Sequence, residues 1–139
     1  MTASTGTAST ATVTDTDIVR AVFQAFADAS ALDGLLHVDA TWNHRNNDRL
    51  GGVHHGTGAI MAYLAESAQL TGGTLRAVPQ SYMADGEGHV GVLVRLSATR
   101  PDGRLMDGLQ IVLFTLDGGR VRSIDQFVGD PAAVATFWA

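Results

Sequence analysis

The feature that most constrains this chain is a run of apolar segments in its second half, each closed by a glycine-containing turn. Asp85-Gly86-Glu87-Gly88, Arg100-Pro101-Asp102-Gly103 and Asp117-Gly118-Gly119 punctuate the stretch from Thr74 to Val128. Glycine tolerates positive φ, while Asp and Pro favour tight reversals. Between the turns apolar residues alternate, as in Val90, Val92, Val94 and Leu96. Period two is the signature of a strand. Four strands are therefore expected, over 74–83, 89–99, 104–116 and 120–128, joined as an antiparallel meander. Pro79 marks the first as an edge or bulged strand, because proline has no N–H for the ladder. The 104–116 strand is apolar on both faces, with Met106, Val112, Phe114 and Leu116 on one and Leu105, Leu109, Ile111 and Leu113 on the other. A sheet with one wet face alternates more cleanly. The second apolar face calls for a cover, which another copy of the chain would supply.

The first half reads differently. Residues 1–14 are mostly Thr, Ala, Ser and Gly, a composition with little to bury, and are expected to form a flexible tail ahead of one domain at 15–139. Thr14 and Asp17 have capping-box spacing, and Ile18, Val19, Val22, Phe23 and Phe26 follow as one helical stripe. A short second helix is expected over 32–37, and a strand over 39–44. Gly51, Gly52 and Gly56 predict a loop. A third helix, capped by Thr57, should run over 58–69 with Ile60, Met61, Leu64 and Ala68 inward and end at Gly72-Gly73. A last helical turn over 132–139 would dock Phe137 and Trp138. Helices segregated from an antiparallel sheet make an α+β domain.

Composition removes several function classes. The net charge of −5 argues against nucleic-acid binding, which needs basic residues to neutralise phosphates. With no cysteine, disulfides, thiolate nucleophiles and Cys-ligated zinc are excluded. No apolar run approaches the roughly 18 residues of a membrane span, and no signal-peptide pattern opens the chain. A cytoplasmic protein without a membrane partner is expected.

The stretch Trp42 to Gly56 is polar and holds three of the five histidines. Trp42 and His44 share one face of the expected strand. His54 and His55 could join His44 around a metal. Adjacent residues of an extended chain point in opposite directions, however, and no carboxylate sits at usual ligand spacing. No metal and no cofactor are expected, and His55 is read as a pocket-mouth residue.

The order of elements resembles the nuclear-transport-factor-2-like fold, a cone of strongly curved, mostly antiparallel sheet with three helices in its N-terminal half enclosing an apolar pocket. It is most similar to the SnoaL-like branch of polyketide cyclases. The resemblance is carried by Asp39-Ala40-Thr41-Trp42-Asn43-His44, Gly56-Thr57-Gly58-Ala59-Ile60, Leu70 to Arg76, Asp117-Gly118-Gly119-Arg120-Val121, and Asp130-Pro131 to Phe137-Trp138. In the related ketosteroid isomerases, the position of the general-base aspartate falls on His44. That of the oxyanion-holding acid falls on Gln110, and that of the first-helix tyrosine on Phe23. The catalytic aspartate of SnoaL-like cyclases and related epoxide hydrolases falls on Gln126, with Asp125 one residue away. Alternation would place Asp125 on the opposite face unless a bulge re-aims it.

The resemblance implies a cofactor-independent enzyme of secondary metabolism, such as antibiotic biosynthesis. It would cyclise or isomerise a polyketide-like or other polycyclic carbonyl compound by acid/base chemistry. His44 would be the acid or base, since imidazole titrates near neutral pH. The competing reading is a buried histidine bonded to Asn43 or a backbone carbonyl. Gln110 and Gln126 would donate to a developing oxyanion or satisfy each other. Asp125 would serve as partner or base if turned inward and as an interface group if turned out. Trp42, Phe23, Phe26, Met61 and Tyr82 would line the chamber, and Arg95 would pair with Asp107 or bind an acidic ligand group. Homodimerisation through the sheet is expected. The alternatives are a non-catalytic ligand-binding or dimerisation module and an epoxide-opening hydrolase or cyclase.

Overall fold

The computed structural model describes residues 13–26 and 29–139. Of the tail expected at 1–14, only Val13 and Thr14 lie within them. Thr14 is the N-cap of helix α1 (Asp15–Ala25), and the capping box with Asp17 is complete. A 3-10 turn (Ala29–Leu32) leads to strand β1 (Leu36–Arg45) and the short β2 (Gly52–His55). Helix α2 (Gly56–Leu70) follows, then β3 (Arg76–Ala84), β4 (His89–Thr99), β5 (Leu105–Asp117), β6 (Arg120–Val128) and helix α3 (Pro131–Trp138). Within the described residues no helix is long and apolar enough to cross a membrane.

The strands form one six-stranded sheet in the order β2-β1-β6-β5-β4-β3. The meander of the second half is antiparallel throughout, while β1 joins it by parallel pairing with β6. β3 is an edge strand, and its register slips between Pro79 and Ser81, where the missing N–H interrupts the ladder. The inner face carries Val90, Val92, Val94, Phe114 and Ile124, all nearly inaccessible. Ile18, Val19 and Val22 of α1 join them in one core. The fold is thus the α+β cone, with helices against the concave face of a curved, mostly antiparallel sheet.

Three local expectations need correction. Residues 32–37 do not form a helix: the 3-10 turn ends at Leu32, and Leu36 already pairs with Val121 of β6. Asp33-Gly34 breaks the turn, and the buried Leu36 gains more from the sheet ladder than from another turn of helix. The glycine-rich stretch is not all loop, because 52–55 pair with 41–44 as a hairpin. Gly52 and Gly56, both at positive φ, bracket that strand. Finally, α2 starts at Gly56 rather than under a Thr57 cap, and its N-cap His55 makes no side-chain cap bond. Its buried stripe is Ile60, Tyr63 and Ser67, with Met61 and Leu64 half-buried at its flank and Ala68 exposed.

Candidate active site

β1, β6 and β5 lie side by side, and each sends polar side chains to the concave face. His44 pairs with Gln126 in register, and Gln126 with Val112, one inward position along β5 from Gln110. All three polar residues are buried, His44 to 1% exposure. Alternation puts Asp125 on the convex face, where it accepts from Arg45 Nε at 3.0 Å. The structure therefore brings His44, Gln110, Gln126 and Trp42 together, and it places Asp125 on the other side of the sheet.

Helix α2 supplies the residue that joins them. Tyr63 lies over the concave face with its hydroxyl 3.0 Å from His44 Nδ1 and 2.9 Å from Gln126 Oε1. Trp42 Nε1 is 3.0 Å from the same Gln126 oxygen. Indole N–H can only donate, so that atom is an acceptor and the amide orientation of Gln126 is fixed. The Tyr63 hydroxyl donates to Gln126, and burial, with the Asp48 charge second, pushes it above the ordinary range, so it keeps its proton. The same hydroxyl is the partner of His44 Nδ1. The other ring nitrogen, Nε2, lies 2.9 Å from Asp48 Oδ2. Asp48 also accepts from Asn46 Nδ2 at 2.8 Å and from Leu50 N at 2.8 Å. Both nitrogens of His44 thus have buried partners, the Tyr63 hydroxyl and the Asp48 carboxylate. Both side chains of the His44–Asp48 pair are 1% exposed.

At the far end, Gln126 Nε2 donates to Gln110 Oε1 at 2.7 Å. One hydrogen-bonded chain consequently runs from Asp48 through His44, Tyr63 and Gln126 to Gln110. Gln110 borders a groove of about 470 Å³ between β5 and α3, within the range of small-molecule sites. β5 outruns β6 here: their pairing begins only at Gln110, opposite Val128. Gly129 makes the close approach possible, since a Cβ there would lie 2.4 Å from the Leu109 carbonyl oxygen.

The aromatic residues pack on one another. Phe26 meets Trp42 at 5.9 Å between centroids, Trp42 meets Tyr63 at 5.3 Å, and Phe23 meets Phe114 at 5.6 Å. Phe23 and Tyr82 also border a smaller hollow of about 290 Å³ beside Arg20, whose guanidinium lies 4.6 Å from the Tyr82 ring centre. Burial raises the Tyr82 hydroxyl above its ordinary range, and the Arg20 charge opposes this. Met61 packs half-buried against the core. His55 is exposed on β2, whereas His54 bonds the Leu50 carbonyl at 3.1 Å and stacks on Tyr63 at 4.4 Å. Arg95 pairs with Asp107 through two bonds of 2.9 and 2.8 Å. Tyr63 and Asp48 were not among the residues expected to act. The signal for Tyr63 was its helical spacing from Ile60 and Ser67.

The sequence model of the SnoaL-like domain matches residues 19–124. The chain belongs to the SnoaL-like domain family. An uncharacterized protein of Mycobacterium tuberculosis is 32% identical over 127 residues, covering 90% of this chain and 96% of its own. Among solved structures, Bal32a from a soil-derived mobile gene cassette is 29% identical with a TM-score of 0.86, covering 90% of this chain and 96% of that one. TerC, co-crystallised with polyporic acid, shares the fold at 21% identity and a TM-score of 0.77, covering 88% and 96% of the two chains. Membership and architecture together give a SnoaL-like cone with a sealed polar chain inside it.

Proposed function

We propose that this SnoaL-like chain is a small-molecule enzyme that enolises an apolar, polyketide-like or other polycyclic carbonyl compound, leading to its cyclisation or isomerisation. The observation that carries this reading is the hydrogen-bonded chain from the buried Asp48–His44 pair to Gln110 at the groove. Such a chain of aligned donors stabilises negative charge as it develops on a ligand oxygen. His44 acts as the buried anchor of the chain, held between Tyr63 and Asp48. Its 1% exposure, with both nitrogens engaged, keeps it from touching a ligand directly. The polyporic acid bound to TerC supports a ligand-holding role for the fold. A homodimer through the convex face belongs to the same proposal. There Leu93, Ile111 and Phe127 form a cross-strand apolar row, extended by Arg45 over the Phe127 ring at 5.2 Å.

Deuterium incorporation at the α-carbon of 2-tetralone, followed by proton NMR in D2O, tests the activity. The wild-type chain is expected to accelerate exchange, and His44→Gln to lose most of that acceleration. Undiminished exchange in a folded His44→Gln variant would sink the assignment of His44. A non-catalytic ligand-binding module is the second reading, favoured by Gln126 standing where the resemblance places an aspartate. It predicts 2-tetralone binding without exchange. The epoxide-opening reading needs an inward Asp125, and the Arg45–Asp125 pair on the convex face does not favour it.

A further inference from the structure

The groove beside Gln110 carries two polar atoms that the rest of the molecule leaves unused. The first is Gln110 Nε2. The Trp42 donor fixes Gln126, Gln126 Nε2 then takes Gln110 Oε1, and the amide nitrogen of Gln110 is left without a hydrogen bond among the described residues. Gln110 is 5% exposed overall, and its Nε2 keeps contact with solvent where the residue borders the groove. A ligand acceptor entering the groove would take the place of that solvent on the donor. The second atom is on Asp130, the N-cap of α3. One carboxylate oxygen, Oδ1, accepts from Ala133 N at 3.2 Å. The other has no hydrogen bond among the described residues, and Asp130 lines the same groove.

Other carboxylates near the chemistry are occupied or remote. Asp107, also on the groove, is held by both Arg95 bonds, which keep its carboxyl below the ordinary range. Asp48 is sealed and Asp125 lies on the convex face. The remaining walls are apolar, with Leu96, Met106, Leu109 and Val134 among them.

We propose that this groove is the substrate site, that Gln110 holds the carbonyl oxygen of a neutral apolar ketone, and that Asp130 is the catalytic base that removes its α-proton. The inference rests on the enolising function proposed above and names the residues and ligand class of that site. The free oxygen of Asp130 takes the proton from carbon. The C–H electron pair becomes the enolate double bond as the carbonyl π pair moves to oxygen, where Gln110 N–H donates. The protonated Asp130 returns its proton to a different carbon in isomerisation. In cyclisation the enolate carbon attacks a second carbonyl of the same molecule, and Asp130 protonates the alkoxide formed. A carboxylic acid ligand is disfavoured by the Asp130 carboxylate on the wall, which has no cationic partner among the described residues.

Asp130→Asn separates the base from the cap, because asparagine caps helices as well as aspartate does. For α-exchange into 2-tetralone, the variant should lose about 10²-fold in kcat or more, with KM and melting temperature close to wild type. On 15N-labelled protein, 2-tetralone should shift the side-chain amide resonances of Gln110. Exchange retained in Asp130→Asn, or a Gln110 amide that does not respond while exchange proceeds, would overturn this site and leave the function standing. A wild-type chain that does not catalyse exchange would overturn both.

Discussion

Removing the Asp48 carboxylate should be among the most damaging single changes to this chain. Its side chain is 1% exposed and accepts from His44 Nε2, Asn46 Nδ2 and the Leu50 amide. Asn46 retains a second acceptor, the Pro131 carbonyl at 3.0 Å. In Asp48→Ala, Leu50 N–H loses its acceptor and His44 Nε2 its buried partner. Breaking a buried pair from one side costs about 3–5 kcal/mol. With a urea m-value of about 2 kcal/mol per molar, the unfolding midpoint should fall by about 2 M. Asp48→Asn is a gentler perturbation. The asparagine oxygen can keep the Leu50 bond while its Nδ2 faces His44 Nε2, so the cost should be about 1–2 kcal/mol. Urea denaturation of the three proteins, followed by far-UV circular dichroism, measures both. An Asp48→Ala variant within about 1 kcal/mol of wild type, or an Asp48→Asn variant as unstable as Asp48→Ala, would refute the buried, fully paired reading of this site.

Two further predictions concern the surface. The Asp102 carboxyl is held at about 2, chiefly by the Arg104 side-chain hydrogen bond, against an ordinary value of 3.8. A depressed folded-state value means stability that is present above 3.8 and lost as pH falls through about 2. Asp102→Asn should therefore show a smaller drop in melting temperature between pH 4 and pH 2 than wild type, an effect that salt should weaken. On the convex face, Ile111 is 40% exposed within the apolar row. Ile111→Asp should convert a dimer to a monomer in sedimentation velocity. A wild-type monomer at tens of micromolar would count against that interface.

Much of this fold was legible because the meander is a local pattern. Alternation in β4, β5 and β6, with turns fixed by Asp-Gly and Gly-Gly, needs no distant partner to be read. It also put Asp125 and Gln126 on opposite faces of one strand, while the resemblance placed Gln110 and Gln126 at cavity positions. Alternation alone does not decide which of the 125–126 pair points inward, because a bulge would reverse it. What could not be read depended on long-range pairing. The helix expected at 32–37 gave way because Leu36 finds Val121 across the sheet, and β2 exists because β1 offers an edge beside it. Tyr63 was hidden by rotation of the α2 stripe: Ile60 with Met61 and Leu64 is as periodic as Ile60 with Tyr63 and Ser67. Only contact with Trp42 and His44 decides between the two. Asp48 was hidden because its role depends on the hairpin that folds the chain back over His44.

Gln126 carries more consequence than a substitution for an acid would suggest. Its amide has a donor side and an acceptor side, and Trp42 and Tyr63 together claim the acceptor. The donor side is thereby committed to Gln110, whose own nitrogen is turned free. A carboxylate at 126 would have no donor side. Gln110 would satisfy it by presenting its amide N–H inward, and its carbonyl oxygen would then be the atom at the groove. The groove would favour a ligand donor over a ligand acceptor. The residue that breaks the expected acid/base pattern is thus the one that makes this groove suited to a carbonyl oxygen.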